Sequence, residues 1–295
     1  MKPLEPHHDA VGHFYDQINE AIRLEAEDPI EYAITLRYLQ CYISQGVTIA
    51  DVGVGGGQYS ELLARRGCRL HLADVSQYLL DAVVAHLHAL SLDSQIESQR
   101  QASATDLSHV PTASCDVVLL LGPLYHLLTT SQRKQAVGEA ARLLRRDGII
   151  FAAGINLLTY LRNILQEDPE DFGRRRDFFL GQLFTDGNIL LQPGQPAAMH
   201  LTTVTELRAE LGTAFEEITL VGVESFASKS VGRQAYLHAT PASRKVLLDL
   251  VERTGTTPEG LGVASHYLYI GRVMKPCAWR PLKRPGTAYT PDIHS

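Results

Sequence analysis

Residues 47 to 64, VTIADVGVGGGQYSELLA, set an apolar run and the acidic side chain of Asp51 ahead of glycines at 53, 55 and 57, and a helical pattern follows. A glycine-rich turn between strand and helix lets a ligand approach the main chain, because residues without Cβ tolerate the necessary dihedrals and contact distances. A large polar ligand is the expectation. The dinucleotide fingerprint G-x-G-x-x-G does not fit: counted from Gly53 the sixth place is Gln58, and counted from Gly55 it is Ser60. A nicotinamide oxidoreductase is therefore a weak alternative.

Around this stretch the pattern alternates. An apolar run at 47–52 precedes a helix over Gln58 to Arg66, and Arg69 to Ala73 precede the amphipathic helix SQYLLDAVVAHLHAL at 76–90, with Ser76 in the N-cap position. Segments 96–101, 116–121 and 149–153 read as further strands. A helix over about 132–144 lies before the last of them and is stopped by Asp147 and Gly148. Such βα units with continuous apolar strands predict a parallel sheet covered on both faces.

Upstream, residues 11–44 predict two helices separated at Asp28 and Pro29, forming an N-terminal helical cap over 1–44. The core occupies 45–155. Residues 156–202 break the alternation with polar helices around Asp168, Pro169 and Gly173 and then a Gly/Pro-rich stretch, which is the pattern of an inserted lid. The alternation resumes over 203–275 with a helix at 204–211, a strand at 217–223, a helix at 243–252 and a last strand at 265–273. The proline-rich segment 276–295 predicts an extended tail.

Composition narrows the partners. In 295 residues, 27 Lys and Arg face 33 Asp and Glu, a net charge of −6, which disfavours a protein that lives on phosphate neutralisation. No nucleic acid partner is expected. The longest apolar stretches, 117–121 and 149–153, fall far short of the ~18 residues that cross a bilayer, so no membrane partner is expected either. The first residues lack the basic start and apolar run of a secretory signal. Cys41, Cys68, Cys115 and Cys277 show no C-x-x-C spacing, and the pairs His7 with His8 and His86 with His88 lack companion ligands, so no metal is assigned. The chain reads as cytoplasmic.

With these residues in place, D-V-G-V-G-G-G resembles the first motif of class I S-adenosylmethionine-dependent methyltransferases. The core is similar to the ubiquinone/menaquinone-biosynthesis branch of bacterial small-molecule enzymes, and CDVVLLLGPLYHLL at 115–128 resembles their fourth-strand segment. The resemblance implies a Rossmann-like α/β fold: a seven-stranded, mostly parallel sheet with an antiparallel last strand. It also implies a cofactor, S-adenosyl-L-methionine, a product, S-adenosyl-L-homocysteine, and methyl transfer to a small-molecule acceptor by in-line displacement. A homodimer is left open. An enzyme that binds the same cofactor on the same fold without methylating would show identical motifs.

Carried over residue by residue, the resemblance gives a cofactor site of Asp51, Gly53, Gly55, Gly57, Asp74, Val75, Asp106, Leu107 and Leu121. Asp74 falls where a carboxylate accepts from both ribose hydroxyls, which suits a group with two acceptors and no donor. Asp106 falls where the adenine 6-amino group is read, with the Leu107 amide as a donor to the ring. Residues 13–25, HFYDQINEAIRLE, resemble a helix folded over the cofactor, making Tyr15 its contact, and Arg37 is placed to reach the cofactor's carboxylate. His126 is the candidate catalytic base, because imidazole titrates in the useful range. His200, His266 and Tyr160 are lesser candidates. Arg174, Arg175 and Arg176 could greet an anionic acceptor from the lid.

Overall fold

The computed structural model describes residues 6–17, 20–191 and 197–274. The expected tail at 276–295 and Cys277 lie outside them. Nine strands are present among the described residues: β1 Thr48–Val52, β2 Arg69–Asp74, β3 Ile96–Gln101, β4 Cys115–Leu120, β5 Leu144–Ile155, β6 Asn188–Leu190, β7 Ala198–His200, β8 Phe215–Gly222 and β9 His266–Val273. Seven form one sheet in the order β3-β2-β1-β4-β5-β9-β8, and β6 pairs with β7 separately. β1 to β5 are mutually parallel, while β9 runs antiparallel to both β5 and β8. The fold class is the one expected.

The continuous apolar strands explain the two-sided sheet. Along β4, Val117 and Leu119 point to a core shared with Ile34, Leu39, Leu63 and Leu80, whereas Val118 and Leu120 point to a core shared with Ala136, Val137, Leu143 and Leu211. Helices follow the local signals. Ser76 caps Gln77–Ala89, its hydroxyl accepting from the Leu79 amide, and Thr129 with Gln132 closes a capping box at the head of Thr130–Leu143.

Three expectations need correction. Asp147 and Gly148 do not end an element: β5 begins already at Leu144, and the pairing jumps from Cys115↔Leu144 to Val117↔Ile149, so the intervening residues bulge with Asp147 at φ 65°. The N-terminal region holds three helices, Pro6–Tyr15, Glu20–Glu27 and Pro29–Tyr42. Pro29 opens the third because its missing N–H is not needed there. The insertion contains Leu157–Glu167, short helical turns over 171–186 and the β6/β7 hairpin. Strands of three residues are too short to show alternation in sequence. Leu157, Phe179, Leu183, Ile189 and Leu201 give the insertion a small core of its own. It is rooted on the sheet by Asn156, whose side-chain amide donates to Ala264 O at 2.8 Å.

Candidate active site

At the carboxyl end of β1 the chain turns through Gly53, Gly55 and Gly57, at φ 80°, 52° and 81°, values that L side chains rarely adopt. The Gly53 amide donates to Ala73 O at 2.7 Å, fixing the turn to the end of β2. A Cβ on Gly53 would lie 2.8 Å from Pro123 Cδ, so the glycine admits the loop that follows β4. A Cβ on Gly57 would lie 2.8 Å from Val83 Cγ2. That glycine packs helix against helix and does not line the cavity, unlike Gly53, Gly55 and Gly56.

Two buried carboxylates frame the turn. Asp51 accepts from Ser60 Oγ at 2.5 Å. Asp74 accepts from the Ser76 amide at 2.8 Å and the Gly55 amide at 3.3 Å, which places its carboxylate at the edge of the glycine turn. Burial pushes both up to about 6, against the pull of Ser60 on Asp51 and of backbone amides on Asp74. Both face a cavity of about 1180 Å³, a figure that includes its solvent-open mouth.

Val75 and Leu121 also line this cavity, as expected. Beyond Leu121, Gly122 and a short helical turn, Pro123–His126, bring His126 to its wall, buried to 8% exposure. The Tyr15 hydroxyl and His126 Nε2 are hydrogen-bonded at 2.9 Å, and their rings meet edge to face with centroids 5.4 Å apart. His7 Nε2 donates to the His126 carbonyl at 3.1 Å. The N-terminal helix thus closes on the candidate base as well as on the cavity.

Other sequence candidates are placed elsewhere. Asp106 and Leu107 do not line the cavity; the Asp106 Oδ1 accepts from the Ser108 amide at 3.2 Å, and the Leu107 amide donates to Glu139 Oε2 at 2.8 Å. Ala102, Ser103 and Ala104, just past β3, do line it. Arg37 is held by Asp249 and Glu252 at 2.9 and 2.8 Å, away from the cavity. His200 lies between Asn188 and Glu206. The Tyr160 hydroxyl accepts from Arg175. Arg174 and Arg175 pair with Asp168 and Asp171, and Arg176 with Asp177. None of these lines the cavity. His266 lies behind its wall, bonded to Glu224.

Sequence reasoning missed Glu31 and Thr35, which line the cavity four residues apart on one helix face, and Gln58, Tyr59, Tyr125 and Tyr267. The i, i+4 spacing of Glu31 and Thr35 was the available signal. It could not be used without knowing which face turned inward.

The sheet order, the glycine turn with a carboxylate at the end of β2, and the antiparallel β9 are those of the Rossmann-like methyltransferase fold. Residues 50–152 match the methyltransferase domain family. Over 111 residues the chain is 38% identical to a ubiquinone biosynthesis O-methyltransferase of Idiomarina loihiensis, an alignment covering 38% of this chain and 43% of the relative. The chain thus spans less than half the length of the curated relatives it matches. The fold is similar to that of the N-methyltransferase NodS of Bradyrhizobium japonicum in complex with S-adenosyl-L-homocysteine: TM-score 0.56, 13% identity, 91% of this chain and all of that one. It is also similar to the [4+2]-cyclase SpnF, with TM-score 0.54, 16% identity, 92% of this chain and 97% of that one.

Proposed function

We propose that the protein transfers a methyl group from S-adenosyl-L-methionine to a small-molecule acceptor in the cytoplasm. The observation that carries this is the continuity of one cavity from the Gly53–Gly56 turn and Asp74 to His126. The residues fit the cofactor. The cradle lacks Cβ atoms at Gly53, Gly55 and Gly56, the Asp74 carboxylate offers acceptors to a vicinal diol, and the buried acidic pair suits a ligand bearing positive charge. S-adenosylmethionine supplies an activated methyl group on a sulfonium. The chain's own task is to hold the acceptor in line, exclude water and move one proton.

His126 is placed to take that proton, and Tyr15, bonded to its Nε2, orients the ring. Among the described residues no helix is long and apolar enough to cross a membrane. The insertion at 156–202 has a core separate from the sheet's and none of its described residues lines the cavity, whereas the cap at 1–44, which brings Tyr15, Glu31 and Thr35 to the lining, is proposed as the cover of the acceptor site. A panel of phenols and amines incubated with deuteromethyl S-adenosylmethionine tests the proposal by mass. Methylated product formed one-for-one with S-adenosylhomocysteine is expected. Turnover of an acceptor with no mass gain would favour the second reading, a non-methylating enzyme, which the similarity to SpnF keeps in view.

A further inference from the structure

The sheet order divides the cavity. The glycine turn, Asp74 and Ala102–Ala104 belong to the β1, β2 and β3 side, whereas Ala153, Tyr267 and Leu268 come from β5 and β9, and Val223 from just past β8, on the other side of β4. If the first half holds the cofactor, the second is the acceptor's. There the described lining is apolar or aromatic apart from two residues delivered by the Pro29–Tyr42 helix, Thr35 and one charged side chain, Glu31. Among all described residues that line the cavity, none is Lys or Arg.

Glu31 is held from behind. Its Oε2 lies 3.2 Å from His266 Nδ1, which lies 2.5 Å from Glu224 Oε1, while Glu224 Oε2 accepts from the Ser265 and His266 amides at 3.0 Å each. Burial alone would pull His266 down, but the Glu31 and Glu224 carboxylates push it up to about 10, so one imidazolium serves two carboxylates. Around the trio, Asp28 and Glu167 offset Lys229 and Arg162. The wall keeps one net negative charge, on a carboxylate already fixed in place.

Resting on the methyl-transfer reading above, we infer that the acceptor carries a protonated amine, recognised by Glu31 at the cavity wall, and that carboxylate-bearing acceptors are excluded. In the acceptor half, Glu31 with no Lys or Arg among the described lining supplies the exclusion, because a second anion would be desolvated there beside a carboxylate. Arg174, Arg175 and Arg176, already paired with aspartates, do not reverse that field. The trio's donor atoms lie within 4.8 Å of one another, which a divalent ion could exploit only by expelling the proton that His266 shares.

The test uses three probes of one skeleton, tyramine, 4-ethylphenol and 4-hydroxyphenylacetate, titrated calorimetrically into the full chain saturated with S-adenosylhomocysteine. Tyramine is expected to bind at least about tenfold more tightly than the carboxylate. Glu31→Gln should erase that preference and Glu31→Asp should keep it, with circular dichroism and S-adenosylhomocysteine affinity reporting that both variants fold. Preference for the carboxylate, no binding of any probe, or a preference unchanged in Glu31→Gln would overturn the inference. Micromolar binding of Mn²⁺ alone, lost in Glu31→Gln, would overturn it too, by making the trio a metal site. Failure of S-adenosylhomocysteine itself to bind would instead remove the reading beneath.

Discussion

Replacing Asp74 by Asn keeps size and shape but removes the charge and one acceptor oxygen. In the structure each carboxylate oxygen accepts one main-chain amide, from Ser76 at 2.8 Å and from Gly55 at 3.3 Å. The Asn amide nitrogen can accept neither, so one of these amides would face a donor, and the diol of a bound nucleoside would lose a charged acceptor. Hydrogen bonds to charged groups are worth about 1.5–3 kcal/mol, so the loss of one such bond to the ligand should weaken S-adenosylhomocysteine about 10- to 150-fold. Calorimetry at pH 7.5 measures this, and thermal unfolding of the free variant separates a damaged turn from a lost ligand contact. An affinity within threefold of the unaltered protein, in a variant that unfolds normally, would refute the role given to Asp74 and leave it a cap for the Ser76 turn.

The same carboxylate predicts a pH dependence. Its folded value of about 6 lies above the usual carboxylate range, so the ionised form that accepts from a diol prevails only above that pH. S-adenosylhomocysteine affinity should be flat above pH 7 and weaken about tenfold by pH 5, and a titration series that rises toward pH 5 would have the opposite sign. Gly57→Ala forces a left-handed residue and a contact with Val83, and should lower stability by about 1–3 kcal/mol in denaturant melts. Unchanged stability would mean that the helices part without strain. His126→Ala should lower kcat by about 10²-fold or more, and Tyr15→Phe by less, with the acid limb of the rate profile shifted. A normal rate in His126→Ala would show that the acceptor needs no base. Arg37→Ala, which removes a partly exposed pair with Asp249 and Glu252, should cost no more than about 1 kcal/mol of stability and leave cofactor affinity intact. A loss of affinity would restore Arg37 to the site.

What could be read in advance follows from how local each signal is. β3 was expected at its observed bounds, and the Ser76 cap was visible because its hydroxyl bonds an amide three residues away. The glycine turn was legible for the same reason. That Asp106 and Leu107 lie outside the cavity lining could not be read in advance, because loops carry no period to fix which residues turn inward, and the acceptor of the Leu107 amide, Glu139, is 32 residues away. Arg37 failed through helix phase: two residues beyond Thr35 is a turn of about 200°, which carries Arg37 to the opposite face, where Asp249 and Glu252 wait. The trio of Glu31, Glu224 and His266 joins positions up to 235 residues apart, and only the antiparallel return of β9 brings them together.

The central claim is that the glycine turn and Asp74 hold a nucleoside of the S-adenosylmethionine kind and not a dinucleotide. Titration of the unaltered chain with S-adenosylhomocysteine and, separately, with NAD tests it most directly. The account predicts one S-adenosylhomocysteine bound per chain with a dissociation constant in the tens of micromolar or below, typical of such metabolite sites at about −6 to −8 kcal/mol, and no saturable heat from NAD. Tighter binding of NAD, or no binding of S-adenosylhomocysteine to a folded protein, would contradict it.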